Sequence, residues 1–456
     1  MQYQELRNKY PTFYYHGFTI EESDTEFITF FDYEIEGLAS FKHSYVFPKP
    51  QGTSFKEYKA IKECVHALGM SELIKYWKLT CSPQVVIEVG KLNHYQIAWW
   101  KDFYYRLLNE FFEVNDIKIG PNTFMKMKSK GSAIQGEEYK DELSGNLIPV
   151  GGGKDSYVSL EILKDQKTEN HCFVINDYRA ALEAVEVAGY KDQFIHAHRI
   201  KDPKLAELNE VGYLKGYVPM TGAISFASVM AALLWGKKYI CMSVESEGTE
   251  FTRRGKTISH QYTKDLSFEK DFNSYVKAYI SDQVYYFSLL RPLTDLQITS
   301  IFITLKEYLP VFKSCAARQD EGEWCGRCAK CLLVYITLSA FLSDKELVGI
   351  FGSNLLEDPG MAKFMHELTG MDDARPKSVK GARDQVNTAI VMGIKLRQEL
   401  RKPLPMLYED YKASYYYESY EHQNRYDNYY NHEHGLPEAF EVRLQRKLEE
   451  CWNAAD

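Results

Sequence analysis

Three adjacent glycines constrain this chain more than any other feature of its sequence. They stand in the segment 147–156, which reads Leu-Ile-Pro-Val-Gly-Gly-Gly-Lys-Asp-Ser. Glycine adopts positive φ and lets the backbone approach an anion closely, and a helix that starts near Ser156 directs its free N–H groups at phosphate. The segment therefore predicts a strand, a phosphate-binding loop and a helix. A glycine turn that only joins a strand to a helix is the alternative.

The spacing of these glycines matches neither G-x-x-x-x-G-K-[ST] nor G-x-G-x-x-G, which excludes two common nucleotide loops. It resembles the PP-loop of ATP pyrophosphatases, S-G-G-x-D-S, with Gly151 where serine is commoner. The resemblance implies that the chain binds ATP, cleaves it to AMP and pyrophosphate, and adenylates an oxygen of its substrate. The implied ATP-binding residues of the loop are Gly151, Gly152, Gly153, Lys154, Asp155 and Ser156.

Length and charge set the broad class of the protein. The chain has 456 residues, enough for two or three domains. Its formal net charge of -8 provides no general attraction for nucleic acid or anionic lipid. The N-terminus lacks the apolar core of a signal peptide, and the longest apolar runs, 224–235 and 331–342, are too short to span a membrane. We therefore expect a cytoplasmic protein with no nucleic-acid or membrane partner, and the oligomeric state stays open.

The first third of the chain differs in pattern from the rest. Alternating apolar and polar residues over 1–50 predict half-exposed antiparallel strands, and the pattern over 54–114 is mostly helical. Together they predict an N-terminal α+β domain at 1–135. The polar, glycine-bearing segment 127–145 predicts a linker after it.

Beyond the linker, short apolar strands alternate with helical stretches, as doubly wound parallel sheets require. The predicted strands are 147–150, 172–175, 193–197 and 239–244. The fold class is therefore α/β, with a doubly wound parallel-sheet domain at 145–360. The resemblance of the glycine loop implies that this domain is PP-loop ATP pyrophosphatase-like. Ligands bind at the carboxyl ends of such strands, so Asn176 and Asp177 are predicted to lie beside the adenosine. An ordinary Asn-Asp turn is the alternative.

The C-terminal region, 361–456, is predicted to be helical and rich in tyrosine. Tyr408, Tyr411 and Tyr415 have helical spacing within a tyrosine-dense segment, 408–430. We favour a tyrosine-lined helix that packs on the body of the protein or on a second subunit. A surface that stacks on a ligand is the alternative.

Four of the nine cysteines form a compact motif with the spacing C-x9-C-x2-C-x2-C. They are Cys315, Cys325, Cys328 and Cys331. Two residues between ligands allow both sulfurs onto one ion, Gly326 supplies a tight turn, and four sulfurs leave no open coordination position. We predict a structural zinc site in a reducing compartment. An iron–sulfur cluster and free core cysteines are the alternatives.

The glycine loop, the parallel sheet and the late cysteine motif together resemble two families. The first, 7-cyano-7-deazaguanine synthase, accounts only for the central part and leaves residues 1–140 unexplained. The second is the UDP-N-acetylmuramoyl-L-alanyl-L-glutamate epimerase family, whose resemblance covers nearly the whole chain in order and spacing. The segments that carry it are 83–90, 96–105, 151–156, 218–225, 260–269, 324–331 and 350–356.

The second resemblance implies an isomerase of peptidoglycan biosynthesis that depends on ATP and Mg²⁺. The implied reaction inverts the terminal L-Glu of UDP-N-acetylmuramoyl-L-Ala-L-Glu to D-Glu through an acyl-adenylate, releasing AMP and pyrophosphate. The sequence departs from that family at 243–248 and in the tyrosine-rich tail after 405. Another adenylating PP-loop enzyme, similar to 7-cyano-7-deazaguanine synthase or tRNA-thiolation enzymes, is the alternative, and a nucleotide sensor without turnover is a third hypothesis.

The loop after the predicted strand at 239–244 offers residues for the second half of this chemistry. Arg253, Arg254 and Lys256 are predicted to bind the sugar diphosphate or the glutamate side chain, since guanidinium and ammonium groups match phosphate and carboxylate. A solvated basic turn is the alternative. The ordinary pKa of histidine suits proton transfer near neutral pH, so His260 is the first candidate for the epimerising base.

Further candidates surround these residues in the sequence. Lys264 and Cys241 are alternatives to the histidine as the catalytic base, and Lys154 is a catalytic candidate as a donor to the phosphates. Asp155 and Glu245 are the predicted Mg²⁺ ligands. For Asp155, the alternative is a carboxylate that only interacts favourably with the helix dipole at a helix N-terminus.

Overall fold

The computed structural model describes residues 3–246, 250–253, 256–259, 262–318, 321–372, 383–422 and 429–453. It shows a mixed α/β protein with a large sheet rich in parallel strand pairs and a helical C-terminal region. The described strands are β1 (Thr12–Glu22), β2 (Glu26–Ile35), β3 (Ala39–Pro48), β4 (Gln84–Ile87), β5 (Lys126–Ser129), β6 (Asn146–Pro149), β7 (Asn170–Ile175), β8 (Phe194–Ile200), β9 (Tyr239–Met242), β10 (Glu250–Arg253), β11 (Lys256–Ser259) and β12 (Tyr285–Ser288).

The α-helices begin near the N-terminus and dominate the last third of the chain. Those described are α1 (Tyr3–Lys9), α2 (Lys59–Trp77), α3 (His94–Leu107), α4 (Asn109–Val114), α5 (Lys154–Ile162), α6 (Arg179–Val187), α7 (Lys204–Glu210), α8 (Thr221–Leu234), α9 (Leu266–Tyr279), α10 (Asp295–Thr304), α11 (Ala329–Ser339), α12 (Asp344–Phe351), α13 (Ala362–Thr369), α14 (Arg383–Glu399), α15 (Met406–Lys412), α16 (Tyr415–Tyr420) and α17 (Glu438–Asn453).

The chain divides into two compact units whose segments alternate along the sequence. Unit one consists of Met1–Leu147, Ile195–Ile240 and Glu250–Tyr286. Unit two consists of Ile148–Phe194, Cys241–Thr249 and Phe287–Asp456. The division falls within β6, β8, β9 and β12. The first residues of β6, β9 and β12 belong to unit one and their last residues to unit two, whereas β8 has only Phe194 in unit two.

In unit one the strand order is β8-β3-β2-β1-β4-β5. β1, β2 and β3 form an antiparallel meander that continues antiparallel into β8, while β4 and β5 pair parallel beyond β1. Every second residue of β2 is buried, from Phe27 to Ile35, which is the predicted alternation of a half-exposed sheet. Helix α2 covers the buried face, because the Tyr33 hydroxyl donates to the Gly69 carbonyl at 2.6 Å. A β-carbon at Gly69 would collide with the Tyr15 side chain, so the close approach of helix to sheet requires glycine.

Unit two contains β7 and the last residues of β6, β9 and β12. β6 and β9 pair parallel at their first residues. The N–H groups of Tyr285 and Leu289 donate to the carbonyls of Lys238 and Met242, a register in which β12 runs parallel to β9. The carboxyl ends of these three strands therefore lie in unit two. Parallel sheets bind their ligands at the carboxyl ends of their strands.

The tyrosines of the C-terminal region are largely structural. Tyr408 and Tyr411 on α15 are buried, and their hydroxyls bond to Ser339 and Asn387 on helices of the same unit. The predicted packing on the body of the protein is confirmed for these two side chains. Tyr415 begins the separate helix α16 and is 78% exposed, so the helical spacing of the three tyrosines does not correspond to one continuous helix.

Most predicted elements are present. The strands predicted at 147–150, 172–175, 193–197 and 239–244 are β6, β7, β8 and β9, and the two apolar runs form the buried helices α8 and α11. The predicted linker at 127–145 is wrong at its start, because β5 begins at Lys126 and pairs with β4. Lysines flank its single buried residue, Met127, so this edge strand carries too little apolar signal to be recognised. The predicted domain limits and the PP-loop ATP pyrophosphatase-like fold stay predictions.

Candidate functional site

The glycine loop joins β6 to α5 in unit two. Gly152 has φ of 78°, a conformation that favours glycine, and a β-carbon there would collide with the backbone of Ala180 at the start of α6. The Gly152 carbonyl also accepts the N–H of Lys313 at 3.0 Å. The loop is therefore pinned between two other segments of the unit, and only glycine fits at its centre.

The neighbours of Gly152 behave differently. A β-carbon at Gly151 would meet open space, so the serine that is commoner in PP-loops would fit at this position. The Gly151 N–H donates to the Ser156 hydroxyl oxygen at 3.1 Å, which closes the loop onto the first turn of α5. Gly153 is the N-cap of that helix and has no side chain to satisfy the first N–H groups. N–H groups at a helix start without a side-chain cap suit an anion, and the predicted phosphate contact stays a prediction.

Lys154 is the centre of charge in this loop. It is 7% exposed, and its ammonium donates to carboxylate oxygens of Asp155 at 2.6 Å and Asp295 at 2.5 Å. Burial alone would lower the pKa of Lys154, but the two carboxylates outweigh burial and raise the pKa above its usual value. The side chain is therefore a permanent cation here and cannot serve as a base at neutral pH.

The acids around this lysine repel one another. Burial raises the pKa of Asp155, Lys154 opposes that rise, and the charges of Glu245 and Asp295 add to it. The Asp155 carboxylate thus feels two other carboxylates and one ammonium, and a divalent cation nearby would favour its charged form. Asp155 and Glu245 were predicted as Mg²⁺ ligands from the sequence. Asp295 was missed, because it lies 141 residues from Lys154 in the chain.

The fold positions Asp295 and Glu245 through backbone contacts. Thr294 and Gln297 form a capping box that starts α10, with Asp295 as its first residue. The carbonyl of Glu245 accepts from Arg291, which is 3% exposed, at 3.1 Å. A helix start and a buried arginine therefore orient the two segments that carry these acids.

The C-terminal segment 429–431 forms hydrogen bonds with Ser246, the residue after Glu245. The Ser246 hydroxyl lies 2.6 Å from the Tyr429 hydroxyl and accepts from the Asn431 side-chain amide at 2.9 Å. Gln297 in turn donates to the Tyr429 carbonyl at 2.7 Å. Sequence reasoning missed this role of the tyrosine-rich tail, since nothing in the local pattern links residue 429 to residue 246.

Two other predicted residues follow β7, and one lies on β9. Asn176 has φ of 62°, a left-handed conformation that asparagine tolerates, and Asp177 beside it is exposed. Their predicted contact with adenosine stays a prediction. Cys241 is fully buried on β9, and burial raises the pKa of its thiol well above the usual value, so the thiol keeps its proton.

The predicted substrate and base residues lie in and after the hairpin β10–β11, which is assigned to unit one. Arg253 pairs with Lys256 across the hairpin. Arg254 and His260 lie outside the described residues, so their roles stay predictions. Lys264 ends a short 3-10 turn, Tyr262–Lys264, and is half-buried.

The four predicted metal-ligating cysteines come together in unit two. Their sulfurs all lie within 4.8 Å of one another, with Cys325 and Cys328 at 3.7 and 3.5 Å from Cys331. Sulfurs about 2.3 Å from a tetrahedral zinc ion are roughly 3.8 Å apart, so this spacing fits such an ion. Gly326 has φ of 66°, which confirms the tight turn between the ligands. Cys328 caps α11, whose second turn carries the apolar residues of the core.

These features define an α/β protein with a glycine loop between a strand and a helix, acidic side chains beside that loop and a separate four-cysteine cluster. The family model described as MurL N-terminal domain matches residues 4–289, and that described as MurL C-terminal domain matches residues 311–410. The chain belongs to the MurL family.

Curated relatives carry one name, UDP-N-acetyl-alpha-D-muramoyl-L-alanyl-L-glutamate epimerase. The relative from Xanthomonas oryzae pv. oryzae (strain MAFF 311018) is 28% identical over 343 residues, 73% of this chain and 75% of its own. Those from Salinispora tropica and Micromonospora sp. are 34% and 29% identical over 50% and 61% of this chain, and over 51% and 62% of their own. No solved structure matches the chain. Within its described part, none of the helices has the length and apolar character needed to cross a membrane.

Proposed function

We propose that this protein is an ATP-dependent epimerase of peptidoglycan biosynthesis that acts in the cytoplasm. It converts the terminal L-Glu of UDP-N-acetylmuramoyl-L-Ala-L-Glu to D-Glu. The observation that carries the proposal is membership of the MurL family over residues 4–289 and 311–410, with curated relatives named for this reaction. The glycine loop and its acidic cluster support the ATP-dependent part.

The loop is the proposed binding site for the phosphates of ATP. The N–H groups of the first turn of α5 point towards the loop, and the charged ammonium of Lys154 adds a donor that stays protonated. Asp155, Glu245 and Asp295 would hold Mg²⁺, which would neutralise the phosphates and the pyrophosphate that leaves. Asn176 and Asp177 would lie beside the adenosine.

The need for ATP follows from the chemistry of the substrate. A carboxylate opposes loss of its own α-proton, because the product would carry two negative charges on one small group. When a carboxylate oxygen attacks the α-phosphorus and pyrophosphate leaves, the acyl-adenylate formed has a carbonyl that accepts enolate charge. Removal of the α-proton, delivery of a solvent-derived proton to the opposite face and hydrolysis then give D-Glu and AMP.

The epimerising base comes from the segment that follows the hairpin. His260 is the first candidate because its ordinary pKa suits proton transfer, and Lys264 is the second. Cys241 is the weakest of the three, since burial keeps its thiol protonated. Arg253, Arg254 and Lys256 would bind the anionic groups of the substrate.

The four-cysteine centre is proposed to hold structural zinc. Its four sulfurs fill a tetrahedral shell, so the ion would stabilise the fold and take no part in the reaction. Metal analysis of the purified protein should give about one zinc per chain, lost in Cys328→Ser and retained in Cys451→Ser, a cysteine outside the cluster. Absence of both zinc and iron from the wild-type protein would refute this assignment.

The function is tested by product analysis in D₂O with ATP, Mg²⁺ and UDP-N-acetylmuramoyl-L-Ala-L-Glu. We expect AMP, pyrophosphate and deuterium at the α-carbon of a glutamate that has become D. AMP formation with ammonia incorporated into a product would favour the alternative, another adenylating PP-loop enzyme. Intact ATP in the presence of the substrate would reject both. In His260→Ala, loss of α-proton exchange with adenylation retained would identify the base, and exchange at the wild-type rate would remove His260 from the mechanism.

A further inference from the structure

Unit one contains a group of four basic side chains that none of the proposed chemistry uses. We define the basic cluster as Lys75, Lys78, Arg199 and Lys201. Arg199 and Lys75 contact the buried acid Glu72, the charge of Lys78 acts on Lys75, and that of Lys201 acts on Lys78. Glu72 has no exposed side-chain surface, and Lys75 exposes 9% of its side chain. Lys201 is exposed, so the cluster extends from the core to the surface.

The negative charge of Glu72 is already matched by Arg199. The guanidinium donates to both carboxylate oxygens, at 2.8 and 2.7 Å, in the bidentate geometry of a strong ion pair. The Tyr45 hydroxyl donates to the same carboxylate at 2.6 Å. Lys75 lies 3.1 Å from it as an additional cation. Arg199 and Lys75 therefore share this one carboxylate.

Beside the ion pair of Lys75 with Glu72, the buried lysines of the cluster contact weak or neutral acceptors. The Lys75 ammonium contacts the sulfur of Met220 at 2.9 Å, and a thioether is a weak acceptor. Lys78 donates to the carbonyl of Gly216 at 2.5 Å, which is a neutral acceptor. Burial lowers the pKa of Lys75 to about 7 in spite of Glu72, and lowers that of Lys78 to about 8 with help from the charge of Lys201. The ion pair of Lys75 with Glu72 does not outweigh burial, and the acceptor of Lys78 is a neutral carbonyl.

A helix N-terminus faces the same place. Met220 is the N-cap of α8 and provides no side-chain acceptor for the first N–H groups of the helix. A β-carbon at Gly222 would collide with Phe103, so the close packing of this first turn requires glycine. The positive end of the helix dipole adds to the lysine charges beside Met220.

We propose that the basic cluster and the start of α8 bind the diphosphate of a nucleoside diphosphate-linked substrate. The site deepens the proposed function, because it assigns the UDP portion of the substrate to unit one. Three lysines are a better match for a diphosphate, which carries two or three negative charges, than for a ligand with a single carboxylate. Phosphate oxygens would accept from Lys75, Lys78 and the first N–H groups of α8, and Lys201 would attract the anion from solvent.

The test is calorimetric titration of the full-length protein with UDP, with the dipeptide L-Ala-L-Glu and with a non-hydrolysable ATP analogue. We expect UDP affinity to fall about tenfold in Lys78→Met, as for loss of one charge-assisted contact, and about threefold in Lys201→Met, as for loss of an exposed charge that attracts the anion. Lys204→Met serves as the matched control, since Lys204 is an exposed lysine nearby that donates to the Ser40 carbonyl. The control should bind UDP like the wild type, and all variants should bind the ATP analogue unchanged.

The outcomes separate the alternatives. UDP affinity that is unchanged in both variants, or no UDP binding by the wild type, overturns the proposal. Loss of dipeptide affinity with UDP affinity retained also overturns it, because the cluster would then be a carboxylate site. Lys201 is exposed, so Lys201→Met keeps the test valid if substitution of Lys78 impairs folding. A protein that binds UDP through the cluster but fails to epimerise the substrate would refute the proposed function and leave this site intact.

Discussion

Lys154 in unit two and Lys75 in unit one are both buried, yet their pKa values move in opposite directions. Lys154 touches two carboxylates, and these raise its pKa above the usual value in spite of burial. Lys75 shares one carboxylate with Arg199, and burial lowers its pKa to about 7. The comparison shows that the balance of neighbouring charge, more than depth, decides what a buried lysine can do. This difference supports the two proposals, a cation with its phosphates at the first site and an anion alone at the second.

The largest expected effect comes from removing the anion site in unit two. Gly152→Ala should weaken binding of an ATP analogue about 100-fold or more, because the new β-carbon meets the Ala180 backbone and φ is positive. Calorimetry and thermal unfolding check this. Gly151→Ser is the matched control and should bind nearly as well as the wild type, since that position faces open space. Equal loss in both variants would contradict the assigned role of Gly152.

A smaller loss of activity should follow when one of the two carboxylates that contact Lys154 is removed. Asp295→Asn should lower the rate of AMP formation about 30-fold and raise the Mg²⁺ concentration needed for half-maximal rate. The exposed acid Asp192 provides the control Asp192→Asn, which should leave both quantities unchanged. If Asp295→Asn keeps the wild-type dependence on Mg²⁺, Asp295 acts only as a partner of Lys154.

The charge comparison also predicts a pH dependence for the basic cluster. Burial holds the pKa of Lys75 in the folded protein at about 7, below its usual value. Below that pH the lysine is charged in the folded protein and destabilises it most. The free energy of unfolding should therefore rise as pH increases through about 7. Anion binding requires the charged form, so UDP affinity should fall severalfold between about pH 7 and about pH 9. Titrations across this range check it. Lys75→Met should flatten the profile, and an unchanged slope would exclude Lys75 from the site.

The smallest expected effect concerns the C-terminal segment that holds Ser246. Tyr429→Phe removes the hydroxyl that lies 2.6 Å from Ser246 and should raise the KM for ATP about threefold, as for loss of one hydrogen bond. Tyr415 is 78% exposed, so Tyr415→Phe is the control and should have the wild-type KM for ATP. A change in kcat with KM constant would show that the segment acts on a step after ATP binding.

Local patterns were enough to predict one class of site residue. The glycines of the loop and the cysteine motif were found because each set is close in sequence and carries its own geometry. Asp295 and Glu72 were not found, because their partners Lys154 and Arg199 lie more than a hundred residues away and each looks like an ordinary surface charge in its own segment. Long-range pairing also explains the missed strand β5, whose only apolar residue faces a strand 42 residues earlier. Charge balance at a site is a property of the folded chain, and spacing does not reveal it.

The interleaved segments of the two units have a consequence for synthesis on the ribosome. β3 lacks its neighbour β8, and α2 lacks α8, until the segment Ile195–Ile240 has been made. Unit one is complete only after Tyr286 has left the exit tunnel, by which time the segments Ile148–Phe194 and Cys241–Thr249 of unit two have also emerged. The nascent chain must therefore carry an open strand edge and an uncovered apolar helix for much of translation, which makes it a natural client of chaperones that act during synthesis.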